Sequence, residues 1–210
     1  MSFKKFLVML ISLILLTLSV NAEENPPIKG IYTQLPGFKF IFDGEKVEVI
    51  ELFSFYCSHC YEFEKSIPVI KGNFPKKIQW KNVPVYWGKG SSKPSEAYLL
   101  AEDEGKGEQM KKALFDALFI EKRDISDISV LESIGAKLEL GFDFSRRLRA
   151  GEKEKEANAA LTMMKAYSVE VTPALIIAGN LKVVPGQTLD ALMDNTITIL
   201  NSILNKYGRV

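Results

Sequence analysis

Val47-Glu-Val-Ile-Glu-Leu-Phe-Ser-Phe-Tyr56 runs without a break into Cys57-Ser58-His59-Cys60 and then Tyr61-Glu-Phe-Glu-Lys65. The first ten residues are rich in β-branched and aromatic types, the composition of a buried strand. The next four hold the only two cysteines and the only histidine of the 210-residue chain. Helical spacing follows them. A strand that ends in Cys-x-x-Cys and opens a helix is a redox geometry. Cys57 falls at the start of the first turn, where unpaired backbone N–H groups and the positive end of the helix dipole favour an anion. A thiolate is such an anion, and it is the nucleophile of disulfide exchange. His59 can offer the same sulfur a positive charge or a hydrogen bond. Cys60, three residues on, can close a small disulfide ring with Cys57 and should be the less exposed of the two.

Two plainer readings of the pair are weaker. A structural zinc site usually takes four nitrogen or sulfur ligands, and the whole chain supplies three. An inert disulfide gains most from closing a long loop, whereas this one spans three residues. No metal and no cofactor is expected.

Glu51 is the odd residue of the strand. A carboxylate among apolar side chains is costly unless exposed, paired or protonated. An edge position facing solvent would explain it. Alternatively it lies beneath Cys57 on the strand face of Phe53 and Phe55, a buried acid with a raised pKa. There it exchanges the proton that Cys60 must lose and gain.

Outward from this centre, residues 1–22 read as a signal peptide. Lys4 and Lys5 give a positive start, Phe6 to Leu18 is almost wholly apolar, and Val20-Asn21-Ala22 fits the small-residue rule for cleavage. The apolar run is too short for a convincing membrane span, so the mature chain should begin at Glu23 and be soluble and exported, in a compartment where disulfides persist. The full chain has 27 Lys plus Arg against 26 Asp plus Glu, and loss of Lys4 and Lys5 leaves 25 against 26. That balance offers no footprint for nucleic acid or an acidic membrane surface.

The Pro- and Gly-bearing stretch Glu23–Gly37 predicts an extended entry segment. Phe38–Phe42 predicts a first strand, Asp43-Gly44 a turn, and Val47–Phe55 the second strand. A helix runs from Cys60 to about Gly72, kinked or cut short by Pro68. Ile78–Tyr86 predicts a third strand. From Trp87 the period turns helical, with helices over Ser95–Glu104, Glu108–Glu121, Asp127–Leu140, Asp143–Ala150 and Lys153–Tyr167. Strand character returns at Val169–Ile177 and, after Ala178-Gly179-Asn180, at Leu181–Val184. Leu189–Tyr207 is a final amphipathic helix.

Without the helical block, that order leaves a thioredoxin-type sheet. The expected fold is therefore α/β: a thioredoxin fold in two parts, residues 23–90 and 165–210, around an inserted helical domain at 91–164. The sequence also resembles the DsbA family of periplasmic thiol:disulfide oxidoreductases, carried by Glu51-Leu-Phe-Ser-Phe-Tyr-Cys-Ser-His-Cys-Tyr61, Val171-Thr-Pro-Ala174 and Gly179-Asn180. Ser58 stands where many members have proline. The resemblance implies that Cys57 is the exposed nucleophile, Cys60 the resolving cysteine, His59 a stabiliser of the Cys57 thiolate, and Glu51 the buried acid. It implies that Thr172 and Pro173 form a cis-peptide loop that faces the disulfide and pairs with substrate. It further implies a periplasmic monomer that acts on unfolded or newly exported proteins with free cysteines. Its recycling partner would be a DsbB-like, quinone-linked membrane oxidase. A periplasmic isomerase or reductase of the same superfamily and a peptide-binding chaperone are the competing roles. An isomerase of the DsbC type would carry a dimerisation domain ahead of the thioredoxin fold, and only about fifteen residues separate the expected cut from the first strand here.

Overall fold

The computed structural model describes residues 27–87 and 90–208. The expected signal peptide and its cleavage site lie outside the described residues. The elements are β1 (Tyr32–Gln34), β2 (Val47–Phe53), α1 (Ser58–Phe63), α2 (Ser66–Asn73), β3 (Ile78–Pro84), α3 (Lys93–Asp103), α4 (Gly107–Phe119), α5 (Ile128–Lys137), α6 (Gly141–Arg149), α7 (Glu154–Ala166), β4 (Ala174–Ile177), β5 (Leu181–Val183) and α8 (Leu189–Tyr207). The strands form one sheet in the order β1-β5-β4-β2-β3. β2 and β3 are parallel, joined through α1 and α2, and the remaining pairs are antiparallel. Five helices fill the interval between β3 and β4, the thioredoxin sheet with a helical insertion that the sequence predicts.

β2 is buried on both faces, which is why it reads as a near-continuous apolar run. Val47 and Val49 pack with α2 and α8 through Ile67, Ile70, Leu192, Ile199 and Ile203. Ile50 and Leu52 face the opposite side, against Ala160 and Met164 of α7 and Ile176 of β4. Phe53 and Phe55 enter a third cluster, built mainly from α3 to α6 and including Cys60.

Four expectations change. The first strand is Tyr32–Gln34, inside the segment expected to be merely extended, and Phe38–Phe42 carries no ladder. Its alternation comes from side chains packed at the sheet's rim: Phe38 lies 4.8 Å from the Tyr167 ring and Phe40 5.4 Å from Tyr207. The backbone there is instead tied to the β4–β5 turn, Ile41 N–H donating to Ala178 O at 2.9 Å and Asn180 Nδ2 to Phe38 O at 3.3 Å. That turn uses positive φ at Ala178 (49°) and Gly179 (80°), the conformation that a tight hairpin demands. Second, β2 and β3 stop at Phe53 and Pro84 rather than at Phe55 and Tyr86. Third, the helix after Cys60 is two helices. Pro68 is the third residue of α2, and the carbonyl it cannot bond to is that of Glu64, which lies in the gap between them. Fourth, β4 begins at Ala174, and Val169–Pro173 is a loop whose Val171 is exposed. α8 has the predicted limits.

Candidate active site

The chain leaves β2 at Phe53 and turns sharply, Cys57 N–H donating to Ser54 O at 3.1 Å. Cys57 is the N-cap of α1, in extended conformation (φ −100°, ψ 114°). Its sulfur accepts a hydrogen bond from Cys60 N–H at 3.3 Å, the role an oxygen side chain plays in an ordinary helix cap. Both cysteines are free thiols, Cys57 half-buried and Cys60 fully buried.

The Thr172–Pro173 peptide is cis, and Thr172 O lies 3.3 Å from the Cys57 sulfur. The loop after α7 and the turn after β2 therefore meet at one sulfur, although 115 residues separate them.

Their environments drive the two thiols apart. Cys57 is pulled down from 9.0 to about 6, first by its hydrogen bond with the Cys60 side chain and then, against partial burial, by Thr172 and the backbone N–H groups of Cys60 and His59. Cys60 is pushed far up, foremost by burial and then by Cys57 itself. One thiolate at Cys57 and one neutral thiol at Cys60 is the resulting charge state near neutrality. His59 contributes through its backbone. Its imidazole is exposed and borders a recess of about 390 Å³ shared with Glu62, Thr172, Pro173 and Gln187.

Glu51 is fully buried and paired, not at a solvent edge. Its Oε2 accepts from Lys111 Nζ at 2.9 Å and Trp80 Nε1 at 3.1 Å. Lys111, on α4, also reaches Glu64 Oε1 at 2.7 Å and donates to Asn82 Oδ1 at 3.1 Å, with its ammonium 4.2 Å from the centre of the Phe53 ring. Burial works against the charge on Lys111, but the carboxylates of Glu51 and Glu64 outweigh it and raise its pKa. Burial raises the carboxyl of Glu64, with Lys111 opposing. Glu51 Oε1 is buried and finds no hydrogen-bond partner among the described residues.

Lys111 and Glu64 are not among the sequence-derived candidates. Each left a trace. Lys111 interrupts the apolar stripe of α4 between Met110 and Leu114, and Glu64 stands four residues after Cys60, on the same side of the turn.

A family model for DSBA-like thioredoxin domains matches residues 48–196. The chain belongs to that family. Its similarity extends to the thiol:disulfide interchange protein DsbA of Azotobacter vinelandii, 25% identical over 170 residues covering 79% of each chain. The DsbA of Haemophilus influenzae is 29% identical over 172 residues, covering 78% of this chain and 82% of the relative. Among solved structures, oxidoreductase DsbA from Xylella fastidiosa superposes with a TM-score of 0.71 at 22% identity, covering 84% of this chain and 97% of that one. The family is one of oxidoreductases, and this DSBA-like chain is an enzyme of that kind. The Cys57–Cys60 turn, the cis-proline loop and the helical insertion all fall within the matched segment.

Proposed function

We propose that this protein introduces disulfide bonds into exported proteins by dithiol–disulfide exchange through Cys57-Ser58-His59-Cys60. The observation that carries the reading is the split between the two sulfurs, one held as a thiolate half-open to solvent and the other held protonated in the core. In the oxidised enzyme a substrate thiolate attacks the Cys57 sulfur. The Cys57–Cys60 bond breaks, and Cys60 leaves as a thiolate that takes up one proton. A second substrate thiolate then attacks the substrate sulfur of the mixed disulfide. Cys57 departs as a thiolate, and the two electrons lost by the substrate dithiol rest on the enzyme. A stabilised Cys57 thiolate is a good leaving group and favours the dithiol enzyme, so the disulfide form is an oxidant.

Cys60 needs a proton where water does not reach. We assign that exchange to the cluster of Glu51, Glu64 and Lys111. One ammonium faces the buried carboxylate of Glu51 and the partly exposed carboxylate of Glu64 there, and burial favours the protonated form of Glu64. His59 and the Thr172–Pro173 loop flank the sulfur, and we give Thr172 and Pro173 the binding of extended substrate by strand addition. Residues 1–22 act as the cleaved signal, and the enzyme works in the periplasm as a monomer. A DsbB-like quinone-linked oxidase restores its disulfide. No helix among the described residues is long and apolar enough to cross a membrane.

The equilibrium redox potential against glutathione tests the direction of the chemistry. A potential well above that of the glutathione couple is expected. A strongly reducing one assigns the protein to reduction instead.

A further inference from the structure

A second recess opens beside Cys57, apart from the one that Thr172 borders. Ser54, Tyr56, Cys57 and Trp87 line it, with a volume of about 420 Å³, within the range of small-ligand sites. No charged side chain is among those four, whereas the recess beside Thr172 has His59 and Glu62 at its wall. Two of the walls are aromatic. Tyr56 is fixed: its hydroxyl accepts from Ser91 N–H at 3.3 Å, and its ring packs on the backbone of Gly90. Gly90 has φ +86°, and a Cβ there would lie 2.8 Å from Tyr56 Cζ. The other wall, Trp87, is 39% exposed beside the reactive sulfur. An indole held open at the rim of a cavity is the kind of large, rigid, amphipathic group that anchors a partner's side chain.

We infer that this recess receives an aromatic or large aliphatic side chain next to the reacting cysteine of the substrate. The inference rests on the exchange reading above. The occupant follows from position, because Cys57 is itself a wall. Any chain joined to Cys57 through a mixed disulfide brings its neighbouring residue past Trp87, while its backbone meets Thr172. Ring stacking on Trp87 and Tyr56 rewards a neutral, flat or bulky side chain, and none of the four described lining residues carries a charge to compensate a charged one. Trp87 thus acts as a specificity residue for the exchange.

The test uses dithiol peptides that differ only beside the first cysteine: Phe after it, Phe before it, or Gly at both places. Each peptide dithiol gives two electrons to the enzyme's Cys57–Cys60 disulfide and loses two protons, one to Cys60 and one to solvent, and the second-order rate constant of that single turnover is read by quenching and alkylation. The wild-type enzyme should oxidise at least one Phe peptide about tenfold faster than the Gly peptide, the size of a modest anchor contact. In Trp87→Ala that ratio should fall to within about twofold, and Trp87→Phe should keep most of it. A wild-type ratio near one, or a ratio kept in Trp87→Ala, overturns the inference and leaves the exchange reading standing. If the wild-type enzyme oxidises none of the peptides, the exchange reading fails and the inference falls with it.

Discussion

Raising the pH from about 5 to about 8 should stabilise the dithiol form of this protein relative to its disulfide form, and the size of the effect follows from Cys57. Its thiol is held at about 6 in the fold against an ordinary 9.0. A depressed pKa contributes stability that is complete above the unfolded value and is lost as the pH falls through the folded one. Near pH 5 the thiol is protonated in both folded and unfolded chains, and the contribution is close to zero. Near pH 8 the folded thiol is ionised and the unfolded one is mostly not, which corresponds to about two pKa units, or ~2.7 kcal/mol. Cys57 is half-open to water, so solvent screening reduces this to ~1.5 kcal/mol. The disulfide form has no such thiolate and serves as the reference. Cys60, pushed upward, is neutral in both states across the window. The carboxylates of the Lys111 cluster are common to both redox forms and cancel to first order. Closure of the small disulfide loop also favours the oxidised form, but that contribution does not vary with pH. The assay is paired urea unfolding of the reduced and disulfide forms at several pH values, with the difference in unfolding free energy plotted against pH. A flat difference would falsify the account of Cys57, and a slope of opposite sign would make the thiolate a burden to the fold.

Other perturbations reach other parts of the argument. Replacing Lys111 by Met strands Glu51 in the core and leaves the partly exposed Glu64 without its cation, and should cost about 3–5 kcal/mol in urea unfolding. Adding Glu51→Gln should recover part of that loss, and a single variant within about 1 kcal/mol of wild type contradicts the buried Lys111–Glu51 pair. With iodoacetamide near pH 7, Cys57 of the reduced protein should alkylate while Cys60 stays unmodified, which peptide mass mapping reads directly; equal labelling defeats the assignment. Gly135→Ala places a Cβ 2.4 Å from Phe144 Cε1 where α5 and α6 pack. It should destabilise by a net ~1–2 kcal/mol, overpacking exceeding the gain in helix propensity, and a raised melting temperature would contradict that contact.

What the sequence revealed, and what it withheld, divides along physical lines. Cys57, Cys60 and Glu51 were legible because each is chemically conspicuous in its setting: the only thiols and an acid in an apolar strand. Thr172 and Pro173 entered only through the family resemblance, because a Thr-Pro at the head of a strand is locally unremarkable. α8 was legible to its ends because Thr188 caps it and its apolar stripe is regular. The first strand was missed because Tyr32–Gln34 is three residues long and mostly exposed. Its pairing with β5 is a long-range event that no local pattern announces. Phe38–Phe42 misled because alternation reports where side chains go, and there they pack without a ladder. Lys111 escaped because its partners lie 60 and 47 positions away in sequence, on β2 and beyond α1. A lysine beside an apolar stripe reads first as a solvated rim.

Lys111 also bears on how this architecture can be taken apart. The helical segment reads on paper as a cassette slotted between two halves of a sheet, yet its fourth helix from the C-terminal end, α4, supplies the ammonium that neutralises β2, and Phe115 stacks its ring within 5.3 Å of Phe55 and 5.9 Å of Phe53. Excision would leave the sheet half with two orphan acids and two bare phenyl rings beside the Cys57–Cys60 turn. The excised half, grafted elsewhere, would carry a cation with nothing to meet it. A chimera that exchanges helical segments between relatives therefore has to move residues 51, 64 and 111 as one set, whichever side of the splice they fall on.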